Sequence, residues 1–203
     1  MSDNLKVGLL AAGAAIIGGL FGGLLSGAYQ HLRDWFARPR LEIEFEKNDP
    51  PNVMHAAWKE GRNDQATEFV IVRPGIRNVG KRPAINCRVF LVALLEVHNS
   101  KVTMAELHDS RPLPWAGWKF EPMTIPPPKD ITLYTDLVKV RKDSPGWDFT
   151  FEHKRYSDEK LKGFRGIYRF RIVATAENAK PVYREIDVEY RGEWHNLRAW
   201  KHK

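Results

Sequence analysis

The 203-residue chain has one cysteine, Cys87, so no disulfide can form within it. That agrees with a reducing compartment without demanding one. A lone cysteine cannot anchor a zinc site, and the seven histidines form neither H-x-H nor H-E-x-x-H. His108 and Asp109 are neighbours with no nucleophile motif nearby, and no serine stands in a G-x-S-x-G context. There is no phosphate-cradling glycine loop, no internal repeat and no low-complexity tract. These absences leave no catalytic, cofactor-binding or metal-ligating residues to nominate, and an enzyme is not expected.

The most informative absence is of charge. From Val7 to Leu32 there is no Asp, Glu, Lys or Arg. As a helix this run would reach roughly 39 Å, against a bilayer hydrocarbon core of about 30 Å. Seven of the 15 glycines lie between Gly8 and Gly27. In water each would cost roughly 1 kcal/mol relative to alanine. In lipid the backbone has no other hydrogen-bond partner, and glycine becomes a packing device. The run is therefore expected to be a transmembrane helix. Two rival readings stay open: a soluble or surface-lying helix, and a cleaved signal with Ser26 and Ala28 as the small residues before the cut. Against the signal stand the length of the run and Arg33, Arg38 and Arg40 directly after it.

Those arginines outnumber Lys6 and the amino terminus by about one charge, which points the C-terminal part toward the cytoplasm. A single-pass protein of the bacterial inner membrane is expected, with the C-terminal domain cytoplasmic. Tyr29, Trp35 and Phe36 suit the interfacial aromatic belt, with Arg33 and Arg38 beside them. Within the run Ala11, Ala15, Gly19, Gly23 and Gly27 recur every four residues, beside Ala14, Gly18, Gly22 and Ser26. That spacing lines one helix face with small residues, which lets two backbones approach closely. It resembles the glycine zippers of self-associating membrane helices. A chance stripe is the alternative, and the partner could be a second copy or another membrane protein.

After a head (1–6), the span (7–32) and a linker (33–39), residues 40–190 are mostly of period two between Pro- and Gly-bearing loops, and 191–203 form a basic aromatic tail. "RLEIEFE" sets Leu41, Ile43 and Phe45 against Glu42, Glu44 and Glu46. "AINCRVFLVALLEV" puts Ile85, Cys87, Val89, Leu91, Ala93, Leu95 and Val97 on one face. "WDFTFE", "IYRFRIVAT" and "YREIDVEY" alternate likewise, "FVIV" and "DITLYTDL" are shorter candidates, and "SDEKLKG" suits one capped helical turn. About seven such strands predict an antiparallel β-sandwich.

Two stretches carry a resemblance. "IRNVGKRPAINCRVFL" (76–91), with Asn78, Gly80 and Ala84, resembles the passage from second to third strand in bacterial immunoglobulin-like domains of the cell-adhesion-related type. "GIYRFRIVATAEN" (166–178) resembles the sixth strand of fibronectin type III and immunoglobulin domains. The resemblance implies an immunoglobulin-like sandwich with Tyr168 as the tyrosine-corner residue. Phe170 stands where antibody domains place their second cysteine. One span followed by one such sandwich resembles small bacterial membrane proteins, and no activity comes with the likeness.

The outward positions of the last two strands are Arg169 and Arg171 against Glu185, Asp187 and Glu189. A hairpin turning at Ala179 would set Arg171 opposite Asp187 and Arg169 opposite Glu189. Elsewhere the net charge of +7 is spread among acids, without the one-sided stripe a nucleic-acid surface needs. No nucleic-acid partner is expected, and the excess fits an anionic leaflet better.

In "GEWHNLRAWKHK", Trp194, Leu197 and Trp200 fall at i, i+3, i+6 among Arg198, Lys201, His202 and Lys203. As a short helix it would lie on a membrane, Trp200 and Lys201 at the interface. The alternative is a frayed end with Trp194 tucked into the domain. Trp115 and Trp118, amid prolines, are either a partner-binding surface or plugs for an open sheet edge. The expected work is binding or assembly at the lipid bilayer. A membrane effector or sensor, whose clustered spans perturb the bilayer, is the alternative.

Overall fold

Beyond residue 40 most of the described residues that alternate with period two form β-strands. The structure is a computed structural model and describes residues 28–30, 33, 36–46, 51–59, 66–98, 101–105, 110–117, 119–127, 131–142, 147–151, 154–156 and 165–202. The chain divides into two units, Met1–Arg38 and Pro39–Lys203. In the first, residues 28–30, 33 and 36 are helical and the Ala37 N–H donates to the Arg33 carbonyl at 2.9 Å. The expected span and its stripe lie outside the described residues but for 28–30. Among the described residues no helix is long and apolar enough to cross a membrane.

The second unit is mainly β, and among the described residues every strand pairing is antiparallel. Its strands are β1 (Leu41–Glu44), β2 (Val53–Lys59), β3 (Ala66–Val72), β4 (Gly75–Asn78), β5 (Ala84–His98), β6 (Lys101–Ala105), β7 (Arg111–Leu113) and β8 (Met123–Ile125). There follow β9 (Leu133–Tyr134), β10 (Val138–Arg141), β11 (Trp147–Phe151), β12 (Lys154–Tyr156), β13 (Gly166–Ala176), β14 (Ala179–Tyr190) and β15 (Arg198–Lys201).

Among the described residues these form three sheets, ordered β1-β4-β9, β12-β11-β10-β3-β2 and β15-β14-β13-β5-β6. Strand β5 is 15 residues long and takes β6, β7 and β8 in succession along one side. The first two sheets run on into each other. Thr135 N–H donates to Pro74 O (3.1 Å) and Leu137 N–H to Val72 O (2.9 Å), carrying the ladder across the break between β3 and β4. Ile76 faces Leu133 while Val72 faces Val138, so the register slips by one residue there. A similar interruption separates β1 from β2. Asn52 closes it, its Oδ1 accepting from Glu46 N–H at 3.0 Å and its Nδ2 donating to Arg73 O at 2.8 Å. Kinks and insertions thus divide what the hydrophobic pattern shows as about seven strands into shorter pieces.

Strand β1 lies across β13 and β14, and one core is filled from both layers. Ile43, Val70, Val72, Ile76, Leu91, Phe170, Ile172, Ile186 and Val188 are among its fully buried members. Removing a Phe or Leu side chain from water contributes about 1.5–3 kcal/mol each. Cys87 sits inside this core, and burial pushes its thiol up from 9.0 to about 11, a hydrogen bond from the Ile125 backbone opposing. Burial likewise pushes the Tyr168 phenol up to about 12, with the Glu96 charge adding to it.

Strand β5 departs from simple alternation twice. Ala84 and Cys87 are buried while Ile85 and Asn86 between them point out, and Asn86 has φ 53°. A second irregularity, where Arg171 faces Ala93 but Ile172 faces Leu91, turns Leu94 inward. Ile85, Leu95 and Val97 therefore do not share the core face with Cys87, Val89 and Leu91. Each irregularity adds a residue to one strand and inverts the facing beyond it.

The Asn-x-Gly segment is tied together by one buried amide. Asn78 Oδ1 accepts from Arg40 N–H (3.1 Å) and Gly80 N–H (3.0 Å). Its Nδ2 donates to Arg82 O (2.7 Å) and Ile125 O (3.1 Å). Chain entry, the β4–β5 turn and β8 meet at this side chain.

Candidate functional site: the outer face of the terminal sheet

Because Tyr168, Phe170 and Ile172 point into the core, Arg169 and Arg171 emerge on the opposite face of β13. Burial of Ile186 and Val188 puts Glu185 and Asp187 beside them. Strand β15 adds a third row. Leu197 and Ala199 are buried, Trp200 lies opposite Asp187, and the His202 N–H donates to Glu185 O at 3.0 Å.

The Arg169 guanidinium grips Asp187 in a fork, Nε to Oδ1 2.7 Å and Nη2 to Oδ2 3.2 Å. Arg171 Nε and Nη2 both reach Glu185 Oε1, at 2.8 and 2.6 Å. From the tail, His202 Nδ1 lies 3.1 Å from Asp187 Oδ2 and its Nε2 lies 3.9 Å from Glu185 Oε2. The hydrogen bond to Asp187 holds the Arg169 pKa above its ordinary value, burial opposing and the Asp187 and Glu185 charges assisting. Both carboxylates already accept bonds from guanidiniums, which favours recognition by a fixed charge pattern over proton abstraction. Arg171 is 48% exposed, Trp200 opposite Asp187 is half-buried, and both residue types recur as interface anchors.

The pairing differs from the sequence expectation by two residues: Arg169 faces Asp187, and Arg171 faces Glu185. The hairpin turns at Glu177–Asn178, with Ala176 facing Ala179, and a bulge follows between Ala174 and Ala176. A slip of two keeps every side chain on its face, so acid still meets base.

The tail corrects another expectation. Residues 198–201 are a strand, not a membrane-lying helix, and Lys201 is exposed on it. Gly192, with φ +95°, turns the chain out of β14 into a 3-10 turn, Trp194–Asn196, that meets β3. Trp194 packs partly buried against the core, its ring edge-on to His55 at 5.9 Å. The i, i+3, i+6 spacing was a coincidence between a core contact and a strand. "LRAWKH" also alternates with period two, the signal that places His202 beside Trp200.

Trp115 is 5% exposed and offers a partner almost no surface. Its indole N–H donates to Glu121 O at 3.1 Å, and its backbone bridges Lys119 and Thr135. Arg33 and Arg38 are exposed. Ala11, Ala15, Gly19, Gly23, Gly27, Trp35 and Trp118 lie outside the described residues. Among the described residues no group of three or more His, Cys, Asp or Glu is arranged to hold a metal ion. Comparison of the chain with protein-family models, curated proteins and solved structures returns no match.

Proposed function

We propose that the chain is a single-pass membrane-anchored binding and assembly protein. Residues 7–32 cross the cytoplasmic membrane, and the β-rich unit is an immunoglobulin-like sandwich presented on the cytoplasmic side. The observation that carries the anchoring is the uncharged run ending at Arg33, Arg38 and Arg40, long enough for a bilayer and basic on its exit side. The immunoglobulin-like reading draws support from how the strands partition. Strands β1, β4 and β9 pair in one sheet, while β5, β13 and β14 pair in another. That matches first, second and fifth strands opposite third, sixth and seventh.

The work of such a molecule is to hold a binding surface near the bilayer. Pairing of spans along the small-residue stripe raises the local concentration of the attached domains, so weak contacts add up. The outer face with Arg171 and Trp200 is the surface offered, to a second copy or to another membrane protein. The chemistry is binding rather than catalysis.

Reporters fused after Lys203, one active only in the cytoplasm and one only outside it, test the orientation; cytoplasmic activity is expected. Crosslinking the full chain in membranes then tests assembly. Crosslinked species that weaken for Trp200→Ala/Arg171→Ala support the proposal. A chain that crosslinks to nothing contradicts it.

A further inference from the structure

We propose that the end of the β-rich unit where the chain enters, at Arg40, is a docking surface for anionic lipid headgroups. This rests on the membrane-anchored reading and adds which part of the domain meets the bilayer.

Three asparagines fix that end. Asn78 ties the Arg40 backbone to the turn carrying Lys81 and Arg82, and Val79 N–H donates to Arg40 O at 2.8 Å. Asn178, in the β13–β14 turn, accepts from Ile85 N–H and donates to Pro83 O, each at 2.9 Å. Asn86 Nδ2 donates to Glu177 Oε1 at 2.6 Å, and Glu177 N–H to Ile85 O at 3.0 Å. Segments far apart in sequence thus present Arg40, Lys81 and Lys180 together, all exposed. Among the described residues, the acids near these cations include Glu177, engaged by Asn86, and Glu42 on β1.

The second observation is apolar. Ile85 is 43% exposed among these residues. Ile131, 47% exposed, leads into β9, whose partner β4 ends at Asn78 on the same side. Isoleucines set among cations suit the headgroup–acyl boundary, where apolar side chains enter and basic ones remain at the phosphates. A single-stranded nucleic acid would favour aromatic platforms instead. Covalent reach agrees, since the eight-residue step from Leu32 to Arg40 extends at most roughly 28 Å. Each basic residue near an anionic leaflet raises partition roughly fivefold.

The test reconstitutes the full chain in vesicles of phosphatidylcholine, with or without phosphatidylglycerol, carrying a headgroup-linked energy acceptor. A donor dye is placed at Pro83→Cys or at His98→Cys, the far end of β5, each with Cys87→Ala. Transfer from position 83 should exceed that from 98 and rise with phosphatidylglycerol. The gain should vanish for Arg40→Gln/Lys81→Gln and, with no change to the patch, in molar salt, where screening shortens to about 3 Å. Transfer at 83 that ignores lipid charge, in protein that resists an alkaline wash, overturns the docking surface alone. Release by that wash overturns the anchored reading and this inference with it.

Discussion

Arg169 and Asp187 face each other across β13 and β14 and are joined by two hydrogen bonds, 2.7 and 3.2 Å, with only 15% and 7% of their side chains exposed. Removing one partner of a largely buried pair leaves an uncompensated charge, which is worse than losing both. Arg169→Met should therefore destabilise the fold by about 3 kcal/mol. Arg169→Met/Asp187→Leu should cost less than that single change. Denaturant titration of the three proteins reads the difference.

Asn78 makes four hydrogen bonds from a side chain that is 1% exposed as a residue. Asn78→Ala strands two N–H donors and two carbonyl acceptors, at about 1–3 kcal/mol for each that stays buried and unmet. A loss of at least about 3 kcal/mol is expected, with faster amide exchange at Arg40 and Gly80. Asn78→Asp keeps the oxygen that accepts from Arg40 and Gly80, but it buries a charge and sets an oxygen against the Arg82 and Ile125 carbonyls, and should not rescue the fold.

Arg73 and Asp136 form a second enclosed pair, Nε to Oδ1 2.5 Å. Burial raises the Asp136 pKa more than the bond and charge of Arg73, with the charge of Lys139, lower it. Arg73→Met removes a lowering influence. The folded-state pKa then lies further above its unfolded value, and the raised group contributes stability that is lost as pH rises through the folded pKa. The deficit of Arg73→Met should thus be largest near neutrality and shrink toward pH 4. A deficit that stays constant across that window would show that Asp136 does not carry it.

Cys87 behaves the same way at the alkaline end. With its thiol raised from 9.0 to about 11, the folded state keeps a proton the unfolded chain gives up. Stability should decline between pH 9 and 11, and Cys87→Ala should flatten the cysteine's part of that decline. At neutral pH the native thiol should react with a disulfide reagent only as fast as the domain opens.

Much of the terminal sheet was legible in its residues. The alternation of "IYRFRIVAT" and "YREIDVEY" is continuous, so the buried set Tyr168, Phe170, Ile172, Ile186 and Val188 followed directly, and the charge pattern implied acid facing base. The register missed by two because it depends on a two-residue turn and a bulge, which side-chain patterning does not encode. Strand β5 hid its reversals for the same reason, since a bulge costs one residue, and the second falls in a run, Leu91 to Leu95, where both faces are apolar. His202 was concealed by charge, having been grouped with Arg198 and Lys201 as a cation of the tail although its ring lies against Asp187 and Glu185. The buried Trp115 fits the plug alternative rather than the partner surface, and its indole N–H reaches a carbonyl in its own loop, a contact that spacing alone does not foretell.

The anchoring claim is tested most directly by fractionating cells that make either the full chain or residues 33–203 alone, with an alkaline carbonate wash of the membranes. The full chain should stay in the washed pellet and the shortened one should move to the supernatant. Identical behaviour of the two, in either fraction, would contradict a lipid-embedded N-terminal segment.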